Sequence, residues 1–194
     1  MHIHQSVVDA STGANIFNTQ SDEPSELFYG FLGGQQAHLP SLFCMLAPYV
    51  NSYRRFVADD AAPTNLEWDR DNRTTGLRIP VSSPANRRIE NRIVGMDCNP
   101  YLAFAAALAS GLDGIKNKIK PPKIFEGDIY AASHLPRVPY TLEEAVAKFE
   151  KSSFAKKAFG EKVMKHYTHY FKKEIEAYHL AVTDWERRRY FERI

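Results

Sequence analysis

Five arginines crowd into one short stretch, Asn72 to Arg92, which reads NRTTGLRIPVSSPANRRIENR. They are Arg73, Arg78, Arg87, Arg88 and Arg92, in two segments of strand-like alternation separated by a Pro/Ser loop. In the second segment Arg88, Glu90 and Arg92 fall at i, i+2 and i+4. An extended chain points all three to one face and turns Ile89 and Ile93 toward a core. Same-face neighbours lie roughly 6.6 Å apart, close enough to clamp one small anion. An isolated Arg-Glu-Arg triplet reads first as a solvated face with cross-strand pairs. Two features favour anion handling. The chain has 12 Lys and 13 Arg, yet its first 115 residues contain no lysine. Choosing guanidinium alone is the choice of planar, bidentate recognition of phosphate or carboxylate. Arg54 and Arg55, in NSYRR, supply a second cluster that could converge on the first.

The elements that must hold these groups are legible in outline. Residues 1–9 alternate as a strand, with His2, His4 and Ser6 on one face. Two histidines at i and i+2 are a metal pair or merely a polar strand face. Residues 10–24 are turn-rich, and Ser25 opens a helix to about Ala47, weakened in its middle by Gly33-Gly34 and ended by Pro48. Residues 56–71 read as a loop. Asn99 is an apt N-cap and Pro100 an apt first-turn residue for a helix of buried scaffold, LAFAAALASGLDGI. Residues 117–140 form a Lys/Pro-rich loop. From Thr141 the tail is helical, opened by the capping box TLEE. Val163, Tyr167, Tyr170, Phe171, Ile175 and Tyr178 predict one apolar stripe on it. The closing DWERRRYFERI reads as a packing segment.

Composition bounds the function. With 194 residues and 44% hydrophobic content the chain can bury one sizeable core. A net charge of +2 is too mild for nucleic acid as the main partner. Cys44 and Cys98 have no metal-ligand spacing and read as free thiols in a reducing compartment. No run of about 18 apolar residues predicts a membrane span, so the reading is a cytoplasmic protein.

Several ordered motifs together carry a resemblance. NSYRR, APTN, DNRT, LRIP, SPANRRIENR and NPYLAFAAALASGLDGIKNKI, preceded by MHIHQS, resemble the C-terminal half of the glutamine synthetase catalytic domain. The match runs from Met1 to about Ile119 and more weakly through the tail. The resemblance implies an α+β fold over residues 1–194, with a mostly antiparallel sheet packed by helices and a helical C-terminal tail. The N-terminal β-grasp domain and the first part of the catalytic domain would be absent. It implies an ATP-dependent ligase of glutamate and an amine or ammonia, acting through γ-glutamyl phosphate with Mg²⁺ or Mn²⁺. The complete protein would be a homo-oligomeric ring, a dodecamer by resemblance, without nucleic-acid or membrane partners.

Residue by residue, the resemblance implies that Arg55 and Arg92 bind glutamate. Arg73 would meet both glutamate and the transferring phosphoryl group, as the catalytic arginine. His4, Ser6, Arg78 and Arg88, with Arg73, would contact ATP, and His2 and Glu90 would ligate metal. Two positions depart from the pattern. The family's ammonium-binding glutamate before Ala-Pro is Ala61 here, with Asp59 and Asp60 offset from it, and a usually basic nucleotide contact is Ala85. Ala61 and the wording EWDRDNRTTGLRIP resemble γ-glutamylputrescine and γ-glutamylpolyamine synthetases. An ordinary ammonia-using glutamine synthetase and a non-catalytic anion-binding fragment are the alternatives. Tyr130 matches a position adenylylated in some bacterial relatives, but a loop tyrosine needs no function. A shared metal site requires His2 within about 10 Å of the Glu90 carboxylate, roughly two strand spacings.

Overall fold

The computed structural model describes residues 1–56, 62–132 and 135–193. Four short strands form one sheet: β1 (Ile3–Gln5), β2 (Trp68–Arg70), β3 (Leu77–Ile79) and β4 (Ile89–Asn91), in the order β1-β4-β3-β2. β4 pairs antiparallel with both β1 and β3, and only β2–β3 is parallel. The sheet is thus mostly antiparallel, and each strand is three residues long.

Strand alternation divides the sheet into two faces. Ile3, Leu77, Ile79 and Ile89 are buried, while His2, His4 and Ser6 on the opposite face are exposed. The alternation predicted over residues 1–9 holds through residue 7 in burial, although ladder hydrogen bonds end at Gln5. β2 lies inside the stretch read as a loop. Too short to show a hydrophobic period, it forms because β3 offers it a ladder.

Beneath the apolar face lies α1 (Glu26–His38), capped by Ser25 Oγ, which accepts from the Phe28 amide. The helix expected to reach Ala47 breaks at Pro40. A 3-10 turn, Leu39–Leu42, intervenes before the short α2 (Phe43–Leu46), because proline cannot donate the ladder bond and crowds the preceding turn. A second 3-10 turn, Val50–Arg55, carries NSYRR.

α3 (Pro100–Lys116) starts as predicted, with Asn99 Oδ1 accepting from the Tyr101 amide. It crosses α1 at glycines. A Cβ placed on Gly34 would strike the Ser110 carbonyl oxygen and lie 2.7 Å from Gly114 Cα. The Gly33-Gly34 pair that reads as a weakness in α1 is what admits α3. Only the small-residue face of α3 is buried. Tyr101, Phe104, Leu108 and Leu112 are exposed along its other side, so the expected all-buried helix is buried on one side only.

The tail folds as α4 (Leu142–Glu150), α5 (Ser153–Phe159), α6 (Glu161–Leu180) and α7 (Asp184–Tyr190). Thr141 caps α4 as expected, while Glu144 reaches back to the Tyr140 amide. On α6 the buried line is Met164, Thr168 and Phe171, with Tyr167 and Ile175 half-buried. Val163, Tyr170 and Tyr178 are exposed. The predicted stripe is therefore rotated toward Met164, because α6 contacts α4 and α5 along a narrower seam than its aromatics span.

The α1–α3 crossing yields a prediction. Gly34→Ala forces backbone against backbone, which a gain in helix propensity of about 1 kcal/mol does not offset. A net loss of about 2 kcal/mol is expected, seen as a fall in Tm of roughly 4–8 °C. A melting curve unchanged by the substitution would show that the helices can part freely.

Candidate functional site

Strand register assembles the polar face. Glu90 lies opposite His4 on β1 and opposite Arg78 on β3, and Arg78 lies opposite Asp69 on β2. One cross-sheet row therefore runs His4, Glu90, Arg78, Asp69 over all four strands. Residues directly opposite in a ladder share a face and sit about 5 Å apart. Arg88 and Arg92 bracket Glu90 along β4 as the spacing predicts, and Ile89 and Ile93 are fully buried behind them.

Glu90 is the hub. Its side chain is 3% exposed, with Oε2 accepting from Arg78 Nη1 at 2.6 Å and Oε1 from Arg92 Nη1 at 2.9 Å. His2 Nδ1 lies 2.8 Å from Oε1, well inside the distance a shared site requires. His4 Nε2 lies 3.9 Å from Oε1, and Arg88 Nε donates to His4 Nδ1 at 3.3 Å. Burial alone would raise the Glu90 pKa. The Arg78 hydrogen bond and the Arg92 and Arg78 charges outweigh it and hold the carboxyl below its ordinary value. Burial and the Arg92 charge lower the His2 pKa despite the opposing pull of Glu90. A neutral imidazole donating from Nδ1 to Glu90 satisfies both observations and leaves Nε2 as an acceptor.

The remaining predicted residues are placed as follows. Arg55 is half-buried, donating to the carbonyl oxygens of Arg92 at 2.7 Å and Ile93 at 3.1 Å. It joins the second arginine cluster to the end of β4. Arg73 stands exposed in the β2–β3 turn, with no ion pair among the described residues. Ser6 is exposed just beyond β1. Arg87 turns away from the row, donating to Asn18 Oδ1 and to the Asp22 carbonyl, and pins the loop that precedes α1. Arg54 points out from its turn, with Nη2 3.5 Å from Tyr178 Oη. Ala61, Asp59 and Asp60 lie outside the described residues. Ala85 sits in a 3-10 turn, Pro84–Asn86, and Tyr130 is half-buried in another, Ile129–Ala131.

One participant carried no sequence signal beyond its acidity. Asp71 adopts φ 53°, a left-handed conformation uncommon for a non-glycine residue, and its Oδ1 takes Arg78 Nη2. Arg78 thus bridges two carboxylates, Asp71 and Glu90. Strand alternation could not place Asp71, because it lies in the turn where alternation ends.

The donor set is poor for a divalent ion. Among the described residues no group of three or more His, Cys, Asp or Glu side chains could hold a metal. His2 and Glu90 are two candidates, and both Glu90 oxygens are engaged by arginines. Mg²⁺ or Mn²⁺ takes about six ligands, mostly oxygen. These residues by themselves do not fit such an ion. They gather guanidinium groups around one buried carboxylate.

Comparison with known proteins finds clear similarity along the whole chain. Residues 1–190 match the family described as glutamine synthetase, catalytic domain. The chain is 42% identical over 193 residues to a gamma-glutamylethanolamide synthetase of Streptomyces coelicolor, covering 100% of this chain and 41% of that protein. It is 34% identical over 197 residues to a glutamine synthetase of Methanococcus voltae, covering 98% and 44%. A solved structure, apo GmaS without ligand, superposes with a TM-score of 0.85 at 31% identity, over 98% of this chain and 44% of that one. The chain thus spans less than half the length of these relatives.

Asp71 competes with any anion for Arg78. Asp71→Asn keeps the left-handed turn, which asparagine tolerates, and removes one negative charge. Pyrophosphate titrated into the protein at 0.15 M salt should bind about fivefold more tightly, the effect of about 1 kcal/mol of screened repulsion. Unchanged or weaker binding would show that Arg78 is not an anion contact.

Proposed function

The chain belongs to the glutamine synthetase family, through its catalytic domain, and from that premise we propose that the complete protein joins glutamate to an amine as a γ-glutamyl amide at the expense of ATP. The glutamate γ-carboxylate oxygen attacks the γ-phosphorus and ADP departs. The amine nitrogen then attacks the acyl carbon, phosphate leaves with the former carboxylate oxygen, and the nitrogen gives up a proton. Phosphoryl transfer needs little covalent help and much alignment and charge stabilisation. The observation that carries the reading is the set of guanidinium groups around Glu90 on the sheet face opposite the core, with Arg78 and Arg88 half-buried and Arg92 buried.

In this reading Arg78 and Arg88 hold phosphate oxygens, with His4 and Ser6 beside the nucleotide. Arg55 and Arg92 face the glutamate carboxylates. Arg73, exposed in its turn and without an ion pair among the described residues, meets glutamate and the moving phosphoryl group. His2 and Glu90 are this chain's contribution to a Mg²⁺ or Mn²⁺ site whose other ligands lie elsewhere in the complete protein. A homo-oligomeric ring belongs to the same proposal. No helix among the described residues is long and apolar enough to cross a membrane.

The acceptor is read from Ala61, a methyl where a carboxylate would hold ammonium, together with likeness to a gamma-glutamylethanolamide synthetase. Similarity to glutamine synthetases supports ammonia as the second reading. Phosphate release by the complete protein with ATP, glutamate and Mg²⁺ separates them. Ethanolamine or a polyamine should stimulate release at least about tenfold more than ammonium, the scale of one lost charge-assisted contact. Equal or better stimulation by ammonium overturns the amine reading.

These 194 residues alone should be catalytically silent. Their site gathers the positive charges of Arg55, Arg73, Arg78, Arg88 and Arg92 against few metal donors. Weak, metal-independent binding of nucleotide is expected in a calorimetric titration. Metal-dependent ADP release that vanishes in Glu90→Ala would prove the site complete and this expectation wrong.

A further inference from the structure

A second cationic pocket lies apart from the Glu90 row. It opens between the 3-10 turn Val50–Arg55 and the start of α4, with a volume of about 570 Å³. Val50, Phe56 and Leu142 give it an apolar floor, and Arg54 and Arg137 stand at its rim. Neither arginine has a carboxylate partner among the described residues. The Arg137 guanidinium carbon lies 4.2 Å from the Tyr140 ring centroid. A guanidinium stacked on an aromatic face is held in plane, with its edge N–H groups free to donate. Arg54 makes only the long 3.5 Å contact to Tyr178 Oη.

The start of α4 also lines this pocket, with Thr141 capping the Glu144 amide and Glu143 and Glu144 in the first turn, so its dipole end is already answered. Tyr53, buried in the pocket wall, has a hydroxyl without a hydrogen-bond partner among the described residues. The one acid in the lining, Glu143, is paired with His179 Nε2 at 2.9 Å. Among the described residues the pocket therefore offers guanidinium edges without a carboxylate partner above an apolar base.

We propose that this pocket binds a small organic carboxylate with an apolar body, its charge between Arg54 and Arg137 and its body on Val50, Phe56 and Leu142. A free inorganic anion would leave that floor uncovered, and a neutral apolar molecule would leave both guanidinium groups unanswered. The pocket shares its 3-10 turn with Arg55, which holds the end of β4, so an occupant would sit one residue from the candidate catalytic face.

Benzoate is a suitable probe, titrated into the full chain by calorimetry or ligand-observed NMR. A Kd on the order of 1 mM is expected for so small a ligand. Benzyl alcohol and inorganic phosphate should each bind at least tenfold more weakly. Arg54→Ala and Arg137→Ala should each weaken benzoate about fivefold or more. Both side chains are exposed, so the fold survives their removal, and an unchanged melting curve verifies it. Arg88→Ala, in the other arginine cluster, should leave benzoate affinity unchanged. The proposal fails if benzoate does not bind, or if Arg54→Ala and Arg137→Ala leave its affinity intact. It also fails if Arg88→Ala abolishes binding, or if phosphate matches benzoate.

Discussion

A carboxylate buried under two guanidinium groups is the constraint on which the rest of the structure depends. Removing a charge such as Glu90 from water costs several kcal/mol unless partners with good geometry replace the solvent. Arg78 and Arg92 are those partners, and His2 completes the shell on the strand β1 side. Each comes from a different position in the ladder, so satisfying Glu90 fixes how β1 and β3 lie against β4. A slip of one residue would turn Glu90 into the core and Ile89 to solvent. The strand register is thereby tied to one side chain.

Three-residue strands do not hold a sheet together unaided. Their stability comes from the layer below, where Phe17, Phe28, Phe31 and Leu32 pack under Ile3, Leu77 and Ile89. The α1–α3 crossing then supports α1 from beneath through backbone contact at glycines. Charge above and close packing below divide the labour. The upper face can stay polar because the lower face is tight.

Much of this was legible in the chain, for physical reasons that also mark where legibility stops. Alternation from His2 to Val7 and from Arg88 to Ile93 showed the two faces, since a strand's period is local. The Asn99-Pro100 cap of α3 was equally local. The motif order carried the α+β family fold. What the sequence could not show was which strands meet. The pairing of Arg78 with Glu90 and of Glu90 with His4 joins residues 12 and 86 positions apart. Asp71 was hidden in a turn, where no periodicity speaks. Gly33-Gly34 was legible as a helix defect but not as a contact, because its partner Gly114 is distant in the chain. Pro40 was a readable break that the apolar run around it obscured.

The partition of basic residues has a practical consequence. The first lysine is Lys116, the last residue of α3, so the whole sheet and all three of its supporting helices lie upstream of every side-chain amine. A lysine-specific protease acting on the unfolded chain would release the sheet and α1–α3 as one long peptide and cut the tail into short ones. Acylation of lysine side chains in the folded protein would proceed entirely through residues 116–173. The labels would fall on the end of α3, the loop after it and the C-terminal helices, leaving the side chains of the arginine-bearing strands untouched.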